Sequence, residues 1–141
     1  MRPGFIGAVV AVAAAGLAAG TASQALAQST AAANFTGTWT GEVDQPGHEA
    51  PFAISITIAA SGATTSYPDQ GCTGTLTRIG TSGVYVFYVE KITKNRYDAT
   101  KGTGCLDGTI TLAKAGNAVL LSWFGTVDNG LYQASATLTK K

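Results

Sequence analysis

The feature that most constrains this chain is an alternation of apolar and polar residues that runs from residue 35 almost to residue 141, with threonine at many polar positions. A repeat of two is the period of a half-buried β-strand, whose successive side chains point to opposite faces of a sheet. Beyond residue 27, no window has the helical period of about 3.6 residues. The alternation therefore predicts an all-β domain over residues 35–141.

Turn-forming residues divide this region into about eight short strands. The predicted strands are 35–43, 52–60, 63–67, 73–79, 84–91, 106–113, 118–124 and 131–139. Asn129-Gly130 is the strongest hairpin signal, because both central residues of a type I′ turn have positive φ. Short connections and one apolar face per strand predict an antiparallel up-and-down barrel, and a two-sheet β-sandwich is the alternative.

The turns also set the register, which decides which side chains point inward. The Asn129-Gly130 turn pairs Val127 with Tyr132. A loop at 114–117 pairs Leu112 with Val119. These two registers agree on one apolar face across the last three strands.

A loop at 80–83 is predicted to pair Arg78 with Tyr85, so that both side chains point into the barrel. The same register places Glu90 beside Thr73 on the outward, threonine-rich face. A lone carboxylate in that position is expected to be solvated. The sequence therefore predicts Glu90 as a surface residue.

The predicted inward face combines aliphatic residues with aromatic and polar ones. An eight-stranded barrel either fills its interior with side chains or holds one small ligand. Aromatic residues with polar tips are the usual lining of a ligand pocket, and they serve equally as filling when their polar tips reach the mouths. Both interpretations stay open from the sequence. The candidate ligand-binding residues are Trp39, Tyr67, Arg78, Tyr85, Trp123 and Tyr132.

Residues 1–27 have the three parts of a secretory signal peptide. Arg2 supplies the positive charge, residues 5–20 form an uncharged apolar run, and residues 25–27 are an A-x-A cleavage site. The run is rich in Ala and Gly and short beside the roughly 18–20 strongly apolar residues of a membrane span, which favours cleavage over a retained anchor. We expect residues 28–34 to be disordered. We expect the mature protein to lack an integral membrane segment and to be periplasmic or secreted.

The charge balance argues against some partners. The chain has nine Lys and Arg residues and eight Asp and Glu residues. Loss of Arg2 with the signal brings the net charge close to zero. Nucleic-acid-binding domains carry a basic patch or stripe instead. We therefore expect no nucleic-acid partner, and we expect a monomer.

Cys72 and Cys105 are the two cysteines, and two cysteines in an exported chain usually pair. Their bridge closes a loop of about 34 residues, which the chain-entropy relation values at about 3–4 kcal/mol. Their wide spacing and the single histidine match neither a zinc site nor a C-x-x-C redox pair. The bridge is predicted to hold one end of the barrel rigid, which leaves the mouth near Arg78 and Tyr85 as the freer place for a ligand.

The sequence does not predict an enzyme. Nucleophilic catalysis needs a nucleophile beside a positioned base, but His48 is the only histidine and no G-x-S-x-G motif is present. Asp44, His48 and Glu49 share the loop 44–51, a set that is common without a metal, so no cofactor or metal is expected. The predicted function is an exported, non-enzymatic domain that binds a small or envelope-derived ligand. The alternative is an envelope protein-interaction or inhibitor module that acts through loops 44–51 and 94–104.

The start of the predicted domain contains a G-x-W motif, with Trp39 as its tryptophan, that resembles the opening of calycin barrels (lipocalins, fatty-acid binders and avidins). A longer pattern resembles an extracytoplasmic bacterial domain of small secreted proteins and of the outer portions of some membrane Ser/Thr kinases. Its segments are FTGTWTG, SYPDQGCTGTLT, VYVFYVEKIT, GCLDGTITL, LSW and ASATLT. The resemblance implies that Trp39 plugs one barrel end, that Cys72 and Cys105 are the pair, and that Glu90 contacts the nearby loop. It also implies ligand sensing or envelope binding without catalysis.

Overall fold

The computed structural model describes residues 35–141, which form a closed barrel of eight antiparallel strands in up-and-down order. Each strand pairs with the next, and β8 closes the barrel against β1. The strands are β1 Gly37–Asp44, β2 Phe52–Ala59, β3 Gly62–Tyr67, β4 Cys72–Ser82, β5 Tyr85–Lys94, β6 Gly108–Ala115, β7 Ala118–Val127 and β8 Gly130–Lys140. The predicted barrel is confirmed over the alternative sandwich. The predicted signal peptide and the stretch 28–34 lie outside the described residues.

The core of the barrel follows from the alternation in the sequence. On β1, Trp39 and Val43 are buried, whereas Thr38 and Thr40 lie at intermediate exposure and Glu42 is exposed. Every strand contributes buried residues in the same way; the side chains with no measurable exposure are Ile56, Ile110, Val119 and Leu138. Burying an aliphatic side chain of this size contributes about 1.5–3 kcal/mol, so this inward face is what holds the barrel closed.

One end of the barrel, here called the Trp39 end, carries the short β2–β3, β4–β5 and β6–β7 turns. Trp39 is 2% exposed, and its Nε1 donates to the Phe35 carbonyl oxygen at 2.8 Å. Phe35 is also buried. The ammonium groups of Lys114 and Lys140 lie 4.7 Å and 5.8 Å from the centre of the indole. The aromatic pair, with these two cations over it, closes this end.

The opposite end, here called the disulfide end, carries the longer connections 45–51, 68–71 and 95–107. The predicted Cys72–Cys105 bridge is confirmed, and it ties the start of β4 to the 95–107 loop. Asp107 adds a second tie: its Oδ1 accepts from the Ile92 N–H at 2.9 Å, and its Oδ2 accepts from Lys91 at 2.9 Å and from Arg96 at 2.7 Å. Partial burial opposes ionisation of Asp107, but these hydrogen bonds and charges outweigh it and hold its pKa below the ordinary value.

The β7–β8 turn differs from its prediction. The turn residues are Asp128 and Asn129, with φ of 49° and 64°, and Tyr132 lies opposite Gly125. The predicted pairing of Val127 with Tyr132 is therefore wrong by two residues. The predicted β6–β7 register is wrong by the same step, because Leu112 pairs with Leu121. A shift of two leaves every side chain on its predicted face, so the inward set survives.

The β4–β5 hairpin corrects the prediction more deeply. Its register shifts between Arg78 and Gly80, so that Arg78 pairs with Tyr88 and not with Tyr85. The predicted and observed partners of Arg78 differ by three residues. An odd difference exchanges the inward and outward faces of β5. Glu90 therefore points into the barrel and is 1% exposed, whereas Tyr85 points outward and is 48% exposed. The predictions of an outward Glu90 and an inward Tyr85 are both wrong.

Candidate ligand-binding cavity

A cavity of about 340 Å³ lies at the disulfide end of the barrel. Its volume falls near the lower limit of small-molecule sites, about 300–1,000 Å³. Aliphatic side chains form much of the wall; they are Val43, Ile54, Ile92, Leu106, Leu121, Val127 and Ala134. The 95–107 loop, which the disulfide holds against β4, supplies Tyr97, Gly102, Gly104 and Cys105. The end that the sequence predicted to be rigid is therefore the end that contains the cavity, away from Arg78 and Tyr85.

Glu90 forms the polar centre of the cavity wall. Its Oε1 accepts hydrogen bonds from the Thr65 hydroxyl and from the Tyr67 hydroxyl, the latter at 2.8 Å. Its Oε2 accepts from Trp123 Nε1 at 2.9 Å. These donors come from β3 and β7, on the two sides of β5. Three donors from two elements fix the position and orientation of the carboxyl group.

Glycines on the strands next to β5 let these donors reach Glu90. Gly74 lies on β4, between β3 and β5, and a Cβ there would be 2.7 Å from Thr65 Oγ1 and 3.2 Å from Glu90 Oε1. Gly108 pairs with Glu90 on β6, and a Cβ there would overlap the Trp123 indole. The two glycines therefore open a path across the interior on each side of β5.

The electrostatics of the cavity are dominated by burial of Glu90. Desolvation raises its pKa above the ordinary value, although the hydrogen bonds from Thr65, Tyr67 and Trp123 act in the opposite direction. The pKa of Tyr67 is raised well above its usual value, first by its own burial and then by the neighbouring carboxylate. Among the described residues that line the cavity, none is Lys or Arg. Glu90 is thus an acid with hydrogen-bond partners but without a countercharge in the wall.

The rim of the cavity is partly polar and includes Gln45, His48 and Gln70. His48 is exposed; its Nδ1 lies 2.7 Å from the Ala50 carbonyl oxygen, and its ring centre lies 5.1 Å from that of Phe52. The cavity therefore has mostly apolar walls that could contact the apolar part of a ligand, and it has one carboxyl group, that of Glu90, held in a fixed orientation. Within residues 35–141, no group of three acidic, Cys or His side chains is placed to hold a metal ion.

The structure brings together three of the six predicted site residues. Tyr67, Trp123 and Tyr132 line the cavity. Trp39 closes the other end of the barrel. Arg78 is exposed near that end, and Tyr85 lies on the outer surface. A ligand-binding role for these residues stays a prediction.

Sequence reasoning missed Glu90 as a cavity residue. A usable signal was Gly80, because an isolated glycine inside a strand pattern often marks a bulge. A bulge there changes the face on which Glu90 lies.

No protein-family model, curated protein or solved structure matches this chain. In the described part of the chain, no helix has both the length and the apolar character needed to cross a membrane.

Proposed function

We propose that this protein is an exported, non-enzymatic binding domain that takes one small or envelope-derived ligand into the cavity at the disulfide end. The observation that carries the proposal is a buried carboxyl group, oriented by three donors, in the wall of a 340 Å³ cavity. A polar group of this kind is costly to bury, and its fixed geometry lowers the cost of binding a complementary partner.

The rest of the site supports binding more than filling. The 95–107 loop is tied to the barrel both by the disulfide and by Asp107, so the cavity wall is ordered before a ligand arrives. The apolar wall gives a ligand body a favourable surface, and Glu90 gives it an orientation. A periplasmic or secreted location is part of the proposal, since disulfides persist in oxidising compartments. A calycin-like relationship, with the kinase-associated domains as relatives, also stands as a proposal.

The experiment is a small-molecule panel read by the Tm of the oxidised protein, followed by a crystal structure with any compound that raises it. A ligand at about 100 times its Kd adds about 2.7 kcal/mol of stability and gives a clear shift. The variant Ala134→Phe should block the cavity and abolish the shift. Ala113→Phe, on the outer face opposite Tyr85, is the matched control and should keep it.

If Ala134→Phe does not fold, the crystal structure of the wild-type complex decides, because it must place the compound beside Glu90. A Tm that no compound moves, together with a crystal structure in which the cavity is closed, would contradict the proposal.

A further inference from the structure

Counting donors from the part of the chain that the structure describes, the Glu90 carboxyl group has one hydrogen-bonding position left. An ionised carboxylate offers about four lone-pair sites. Two donors occupy Oε1, and one donor, Trp123 Nε1, occupies Oε2. The remaining site belongs to Oε2, and Glu90 borders the cavity. A ligand with one N–H or O–H donor fits this site.

The negative charge of Glu90 distinguishes between cationic and neutral ligands that could donate this hydrogen bond. A buried carboxylate without a countercharge is strongly unfavourable, and an opposite charge close to it recovers much of that cost. The neighbouring cations Lys91 and Arg96 are bound to Asp107, and their side chains are 64% and 65% exposed. Within residues 35–141, the cavity wall contributes no Lys or Arg side chain, and His48 lies at the exposed rim. A cationic ligand therefore gains more at Glu90 than a neutral one, and an anion is repelled.

The aromatic residues of the wall favour the same class of ligand. Tyr67, Tyr97, Trp123 and Tyr132 line the cavity beside Phe52, and aromatic faces attract ammonium groups. The aliphatic residues of the same wall are best matched by an apolar part of the ligand. The site thus combines an acceptor, a negative charge and aromatic faces within one small volume.

We propose that the cavity selects a small organic cation, a primary or secondary ammonium on a compact apolar body, whose N–H donates to Oε2 of Glu90. This inference rests on the proposed binding function and assigns its ligand class. The ammonium lies at the Glu90 carboxyl group, and the apolar body lies against Ile54, Ile92 and Leu121.

The test is a matched ligand series measured by calorimetry on the oxidised protein. Benzyl, cyclohexylmethyl and phenethyl bodies are each presented with an ammonium, a hydroxyl or a carboxylate end group. For every body that binds, we expect the ammonium to bind at least about tenfold more tightly than the alcohol, a difference of 1.4 kcal/mol. We expect the carboxylate not to bind measurably.

The variant Glu90→Gln keeps the shape of the side chain and removes its charge, so it should bring the ammonium and alcohol affinities together. Glu42→Gln is the matched control, because Glu42 is exposed on β1, and it should leave the tenfold preference unchanged. If Glu90→Gln does not fold, the wild-type series decides alone.

An alcohol that binds as tightly as its ammonium, or a carboxylate that binds best, overturns the cation assignment and leaves the binding function standing. Binding by no member of the series also overturns the assignment. The binding function falls with it only if the wider panel fails to move the Tm and the crystal structure shows a closed cavity.

Discussion

Removal of the Tyr67 hydroxyl tests how the buried Glu90 network is held together. In Tyr67→Phe the ring keeps its place beside Phe52, at a centroid distance of 6.2 Å, while the 2.8 Å hydrogen bond to Glu90 Oε1 is lost. Little apolar burial changes, so the cost is mainly that of the hydrogen bond. A bond to a charged group contributes about 1.5–3 kcal/mol, and a bond to a neutral group contributes about 0.5–1.5 kcal/mol.

The loss should depend on pH, and its sign follows from Glu90. Burial places the pKa of Glu90 in the folded protein above its ordinary value, so this group favours folding below the ordinary pKa, about 4.3, and that contribution is lost as pH rises through the folded pKa. Tyr67→Phe removes a donor to the ionised form and raises the folded pKa further. We therefore expect a loss of about 0.5–1.5 kcal/mol at pH 4 and a larger loss at pH 8, which approaches about 1.5–3 kcal/mol as Glu90 ionises.

The assay is urea unfolding followed by circular dichroism at both pH values. Tyr85→Phe is the control, because Tyr85 is exposed on the outer face, and it should change the free energy of unfolding by less than about 0.5 kcal/mol. A Tyr67→Phe loss that is equal at the two pH values, or no larger than that of the control, would refute the reasoning.

Three further perturbations test other parts of the fold. Gly108→Ala places a methyl group against the Trp123 indole and should cost about 1–3 kcal/mol; an unchanged Tm and tryptophan fluorescence would contradict the crowding. Replacing Cys72 and Cys105 together with Ser should cost about 3–4 kcal/mol in urea unfolding, and equal stability would show that the bridge does not constrain the unfolded chain. Trp39→Phe removes the buried hydrogen bond from Trp39 Nε1 to the Phe35 carbonyl oxygen and should lower the free energy of unfolding by about 1–3 kcal/mol. A urea midpoint equal to that of the wild type would argue that this bond does not help to close the Trp39 end of the barrel.

Most of the barrel could be predicted from the sequence because its inward face tolerates errors of two residues. The turn predicted at Asn129-Gly130 forms one residue earlier, at Asp128-Asn129. The resulting register error moves each partner by two positions and leaves Trp123 and Leu121 on the predicted face. The alternation of the strands thus determined the architecture even where the turns were misplaced.

The candidate site could not be predicted because its centre depends on an odd register shift. In β5, one face carries Tyr85, Phe87 and Val89 together with Lys91, and the other carries Val86 and Tyr88 together with Glu90 and Ile92. Both faces are largely apolar, so hydrophobic patterning alone does not choose between them. The β4–β5 bulge makes the choice, and the path of the 95–107 loop, which completes the cavity, has no periodic pattern to predict it.

The bulge in β4 also limits where this hairpin can change its length. Ile79 lies between the two registers, has no pairing partner on β5 and is 60% exposed. Its deletion would make the pairing regular and leave both Leu76 and Glu90 pointing inward. The same deletion within residues 85–89 would carry Glu90 to the outer surface. Chains of this architecture can therefore shorten the hairpin at position 79 and keep the same interior, whereas a one-residue gap within residues 85–89 turns Glu90 outward and brings Lys91 to the inner face.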